Sequence, residues 1–198
     1  MHDGVPRMPL PTHPMLAGIV QLHAGATYQV DGATLAMALM AGPSQAGSWC
    51  AVVGVDDFGA EAATELGIEL GRTALVPDPG EQWLEVTAAM LDVASVVVVR
   101  PPTRVAASVA EKLAARARKR SAALVAWGQW PRPELRLSVL DPRWAGVGHG
   151  HGHLSSRRIV VETQRGSAPA RRAALWFPAP DGSHRREEAP VAAEVRSA

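Results

Sequence analysis

Residues 25–39, GATYQVDGATLAMAL, decide how the rest of the chain is read. They follow the apolar run GIVQLH at 18–23, which has the character of a buried strand, and they pass into a segment with helical composition. A glycine-punctuated turn between a strand and a helix is where nucleotide-binding proteins place the phosphate loop G-x-x-x-x-G-K-[ST]. Its N–H groups and helix dipole hold the anion, and its lysine reaches the outer phosphates. In this register Thr27 stands for the first glycine, Gly32 for the second, Ala33 for the lysine and Thr34 for the metal-binding hydroxyl. Asp31 is placed to cap the helix, using the N–H groups that a phosphate would otherwise take. Without the lysine, triphosphate hydrolysis is not expected, and the stretch reads as a former phosphate loop kept as a structural turn.

The acid that holds magnesium in such proteins ends a buried β-branched strand. The matching run here is SVVVVR at 95–100, and it ends in Arg100, which cannot ligate a cation. No cofactor and no catalytic residue are therefore expected, and an ordinary snorkelling or ion-paired role for Arg100 is the alternative.

Working outward, strand-like runs (SWCAVVGV, TALVP, SVVVVR, AALVAWG) alternate with helix-like ones (GATLAMALMA, GAEAATELG, DPGEQWLEVTAAMLD, VAASVAEKLAARARKR). That rhythm predicts crossover connections and a mostly parallel sheet. The first helix is expected to stop at Gly42-Pro43. After Gly128 three runs, ELRLSVL, SRRIVVE and AALWFP, leave no room for helices and should extend the sheet in antiparallel fashion. Residues 1–14 carry Pro6, Pro9, Pro11 and Pro14 and read as an extended arm, residues 15–178 as one domain, and 179–198 as a disordered tail.

Of the 198 residues, 47% are apolar and 20% charged, in the range of a globular protein. The lone cysteine, Cys50, lies in an apolar run and reads as a small core residue in a reducing compartment. No segment reaches membrane-spanning length, so a cytoplasmic protein is expected. The formal charge of +1 divides into −9 over residues 1–99 and +10 over 100–198. Such a split points to an anionic partner for the second half, or to two halves that face and neutralise each other.

Taken in order, GSWCAVVGVDDFGAEAATELGIEL (47–70), GRTALVPDPGEQWLEV (71–86) and SVVVVR resemble the core of RecA-like recombinases. More narrowly, GSWCAVVGV, GEQWLEV, GHGHLSSRRI (150–159) and LWFP (175–178) resemble the shortened, RecA-related ImuA proteins of the ImuA-prime type. The resemblance runs over about residues 16–178 and implies a three-layer α/β core. It places the water-activating glutamate of the active enzymes near Val55, with Asp56 and Asp57 just after it. It implies an accessory role in the bacterial SOS response, without catalysis, in mutagenic translesion synthesis. Its partners would be an ImuB-like Y-family polymerase homologue and, through it, an error-prone replicative-type polymerase and the sliding clamp, with association with the nucleoid on DNA damage. The rival is a cell-division inhibitor of the SulA type, also RecA-related, that binds the tubulin-like division protein; a residual ATPase is the enzymatic alternative.

Three features could supply contacts to DNA or a partner. Lys112, Arg116, Lys119 and Arg120 recur at helical spacing along one side of a helix, which is either a phosphate-tracking patch or a solvated face. Trp130, in GQWPRP, is the tryptophan expected in an exposed loop, beside Trp127 and Trp144 as further candidates, for base stacking or as an interface anchor; Trp49, Trp83 and Trp176 read as core. His149, His151 and His153 alternate with glycine ahead of Arg157 and Arg158. Imidazoles suit zinc, copper or nickel, but no cysteine or carboxylate is close, so a mobile loop next to phosphate-binding arginines is expected instead of a metal site.

Overall fold

A computed structural model describes residues 7–146 and 154–187. The alternation seen in the sequence becomes a single nine-stranded sheet. In chain order the strands are β1 (Thr27–Val30), β2 (Cys50–Val53), β3 (Thr73–Val76), β4 (Val96–Val99), β5 (Ala123–Trp127), β6 (Leu135–Ala145), β7 (Ser156–Gln164), β8 (Arg171–Trp176) and β9 (Arg185–Arg186). The helices are α1 (Ala33–Gln45), α2 (Ala60–Glu65), α3 (Trp83–Met90) and α4 (Ala107–Arg120). Across the sheet the order is β3-β2-β4-β5-β1-β6-β7-β8-β9. The first six positions, β3 to β6, are parallel, and β6 to β9 are antiparallel. The fold is thus α/β, mostly parallel with an antiparallel extension, as the sequence predicts, except that β6 itself joins the parallel part.

Two apolar cores lie on opposite faces of the sheet, which makes the three layers. On one face α1 and α2 cover Tyr28, Val30, Cys50, Val52, Val96, Val98 and Val125. On the other, α3 and α4 cover Ala51, Val53, Val97, Val99, Leu124 and Ala126. Residues of β2, β4 and β5 therefore alternate between two dry interiors, which is why these strands read as unbroken apolar runs. Helix α1 is buried on every side from Leu35 to Ser44, as a helix apolar all round must be. It does not stop at Pro43, which lies inside it near the C-terminus. There only one N–H is forfeited, and the helix ends two residues later, with the Ala46 N–H returning to the Gly42 carbonyl at 3.1 Å.

The structure corrects three further expectations. Residues 18–23 are not a strand: they turn and make one antiparallel bridge, Pro9 to His23. The first strand is the less apolar TYQV. Its Tyr28 is fully buried because its hydroxyl accepts from the His23 N–H at 2.8 Å and faces the Gln21 carbonyl at 3.4 Å. The proline-bearing arm is extended from residue 7 but is not free; Leu10 is buried, its N–H donating to Leu22 at 2.8 Å. Residues 179–187 are ordered, not a disordered tail: Ala179 is buried, Arg185–Arg186 pair with β8, and Glu187 binds Arg158. Residues 188–198, the rest of the expected tail, lie outside the described residues.

Two predictions arise here. Cys50 is buried in β2, and burial pushes its thiol up to about 12. A maleimide should leave the native protein unlabelled at neutral pH and modify Cys50 fully in denaturant, since the thiolate is the nucleophile. Native labelling at the rate of a free thiol would contradict the burial. Secondly, His13 on the arm and His184 before β9 are each held below the usual 6.5, mainly by burial; His184 further lowers His13, and Glu65 opposes the shift at His184. The unfolded chain then binds more protons than the native one as pH falls below 6.5. The two sites contribute stability that is complete above 6.5 and lost as pH falls through the folded values. Urea midpoints should drop between pH 7 and pH 5, and by less in His13→Gln; an unchanged slope in that variant would remove His13 from the explanation.

Candidate functional site

Strand β1 ends at Val30 and α1 begins at Ala33, so only Asp31 and Gly32 connect them. The proposed loop residue Thr27 is itself the first residue of β1 and is buried. An eight-residue phosphate loop has no counterpart: two residues cannot curl their N–H groups into an anion cradle. Gly32 is the N-cap of α1 and no side chain caps the helix. Asp31 does not cap it either. Its Oδ2 accepts the Val139 N–H at 2.7 Å, because β6 runs on past the end of β1 and brings that N–H alongside.

The same β6–β7 hairpin puts Arg157 at the start of α1. Its Nη1 donates to the Thr34 Oγ1 at 3.0 Å, and its guanidinium carbon lies 5.2 Å from the centre of the Trp144 ring. Burial pulls Arg157 below the usual arginine value, with Asp31 opposing the shift, and its Nε is buried with no partner among the described residues. Ala33 has no functional group. The turn is therefore filled by internal contacts: Asp31 by a strand amide and Thr34 by a guanidinium.

Arg100 stands just past β4, at the position the resemblance gives to a metal-binding acid. Its Nη1 lies 3.4 Å from the Asp57 Oδ1 and its guanidinium carbon 5.0 Å from the centre of the Trp127 ring. Asp57, close to the position carried over for a water-activating acid, is thus a partner of Arg100. Beyond them Asp56 and Asp78 line an open cleft of about 720 Å³. Both carboxylates are exposed on loops, and one arginine, Arg100, lines the cleft with them.

The basic helix is real but half neutralised. Ala110, Leu113 and Ala117 bury one side of α4. Arg116 and Arg120 both bind Asp92, with Nε–O distances of 2.8 and 3.1 Å, and the pairing holds Asp92 below the usual carboxylate range. Lys112 and Lys119 are exposed and have no ion pair among the described residues. Arg158 is chelated by Glu187. The acidic and basic halves also meet at Arg100–Asp57, so part of the charge split is settled inside the molecule.

Trp130 is not an exposed platform: it is 4% exposed and packs in the core under α4. The tryptophans outside are Trp144, 51% exposed on β6, and Trp49, 53% exposed and expected to be core. Trp83 and Trp176 are half-buried. His149, His151 and His153 lie outside the described residues. The structure brings together Asp31, Gly32, Ala33, Thr34, Arg157 and Trp144; it leaves Arg100 and the α4 cations elsewhere. Sequence reasoning missed that Arg157 reaches α1, and the 123-residue gap to Thr34 leaves no local signal for it.

The model of the MT3502 N-terminal domain matches residues 14–132, more than half of the chain. The chain belongs to this family. A relative, the uncharacterized protein Rv3395c of Mycobacterium tuberculosis (strain ATCC 25618 / H37Rv), is 34% identical over 155 residues, covering 73% of this chain and 76% of its own length. The MT3502 match spans β1 to β5 with their helices and stops before β6, so the hairpin that fills the turn lies beyond the matched domain.

Proposed function

We propose that this member of the MT3502 family is a non-catalytic, RecA-like adaptor of the ImuA-prime type, acting in DNA-damage-induced mutagenic translesion synthesis. One observation carries the non-catalytic part. The strand-to-helix turn has shrunk to Asp31–Gly32, and Arg157 donates to Thr34 where a nucleotide phosphate and its metal would need that space. The adaptor part is supported by the sequence resemblance. On this reading the protein binds an ImuB-like Y-family polymerase homologue, and through it an error-prone polymerase and the sliding clamp, and acts at the nucleoid after damage. DNA contact would fall to cations of α4 that have no ion pair, Lys112 and Lys119 among them, with the stacked Trp144–Arg157 pair as an interface anchor.

The test is affinity capture of the tagged full-length protein from DNA-damaged cells, with mass spectrometry of what is retained. Enrichment of a Y-family polymerase homologue supports the adaptor. Retention of the tubulin-like division protein with no polymerase would move the reading to division arrest. Steady phosphate release from ATP, lost on substitution of Thr34, would overturn the non-catalytic part.

A further inference from the structure

A cavity of about 590 Å³ opens at the carboxyl ends of β1 and β5, between the first turn of α4 and the start of β6. It lies on the α4 face of the sheet, away from the turn at Asp31–Gly32. Its floor is apolar, from the buried side chains of Val105 and Trp130. Its rim carries Arg104 and Arg136, both exposed, neither within ion-pair distance of a carboxylate among the described residues. No aspartate or glutamate lines it. Gln29 spends its carbonyl oxygen inward, accepting from the Trp130 N–H at 3.3 Å and from Arg136 Nε at 3.4 Å, which leaves its amide NH2 to donate. Two guanidinia without an ion pair beside a half-enclosed hollow form a donor-rich site with no internal anion. Its volume falls in the range of small-molecule sites, and guanidinium forks match phosphate oxygens.

We propose that this cavity binds a phosphate-bearing small molecule, held by Arg104 and Arg136 with its remainder against Trp130. The proposal does not rest on the adaptor reading. The probe is inorganic pyrophosphate, titrated calorimetrically into the full-length protein at constant ionic strength, so that general screening does not masquerade as binding. One saturable site is expected, weakened about tenfold in Arg104→Ala and in Arg136→Ala, a loss typical of one charge-assisted contact. Arg104 is exposed and makes no side-chain hydrogen bond or ion pair among the described residues, so its variant keeps the test valid if Arg136→Ala proves unstable. Arg171→Ala, an exposed arginine on β8, should bind as the parent does. Absence of saturation up to about 10 mM, or parental affinity in Arg104→Ala, would overturn the proposal. Arg104-dependent binding of an oligothymidylate, without pyrophosphate binding, would also overturn it and make the cavity part of a strand-binding surface.

Discussion

Gly54→Ala should destabilise the protein by about 2–5 kcal/mol, lowering the melting temperature by on the order of 10 °C for a chain of this size. Gly54 follows β2 with φ of +76°, where an alanine costs roughly 1–2 kcal/mol of strain before any contact is counted. A Cβ there would lie 2.4 Å from the Arg100 carbonyl oxygen. That oxygen cannot swing aside. The Arg100 N–H is fixed to Val53 and the Gly54 N–H to Val76, each at 2.9 Å, so the clash falls on three hydrogen-bonded strands. The ends of β2 and β4 must separate, and the Arg100–Asp57 contact goes with them. Urea unfolding of the purified variant measures the effect; a change below about 1 kcal/mol would mean that this corner yields more readily than its hydrogen bonds imply.

Gly42→Ala sets two effects against each other. Gly42 lies inside α1, where alanine gains up to about 1 kcal/mol in helix propensity. Yet the new Cβ would meet the His13 nitrogen at 2.6 Å, the Pro11 oxygen at 2.7 Å and the Thr12 carbonyl carbon at 2.7 Å, all backbone atoms of the arm. Losing that seat exposes Leu10, whose burial alone stabilises by roughly 1.5–3 kcal/mol, and loosens Met15 and Leu16. Packing wins, and a net loss of about 2–3 kcal/mol is expected. The loss should be local. Hydrogen exchange at Leu10 and at Ala24, whose N–H donates to Met8, should quicken while the β4 and β5 amides keep their protection. A variant more stable than the parent would show that the arm contributes little.

The elements that were legible are those whose neighbours do not matter. The valine run of β4 and the apolar run of β5 announce strands buried on both faces, and α4 declares itself by the spacing of Ala110, Leu113 and Ala117. Strand β1 was hidden because its polar residues find partners far along the chain: Gln29 meets Trp130 and Arg136, and Thr27 lies buried beside Glu134, whose N–H donates to its carbonyl. The apolar GIVQLH looked more like a strand but serves the arm. Trp49 and Trp130 exchanged their expected exposures for the same reason, since a tryptophan's burial depends on what a distant segment lays over it. At the candidate site the residue types were legible and the pairings were not. Asp31–Val139 and Arg157–Thr34 join residues more than a hundred positions apart.

The sheet order has a consequence for synthesis. Strand β1 lies between β5 and β6, and Thr27 pairs with Leu124, 97 residues later. At about 5–20 residues per second, the first strand waits roughly 5–20 s on the ribosome before either of its neighbouring strands exists. During that interval α1 has β2, and later β4, to pack against, while the β1 and β5 part of its seat is missing. Arrest or slow translation anywhere before β5 leaves that segment partly uncovered, so the yield of native protein should depend on elongation rate and on holdase chaperones more than the finished fold's stability suggests.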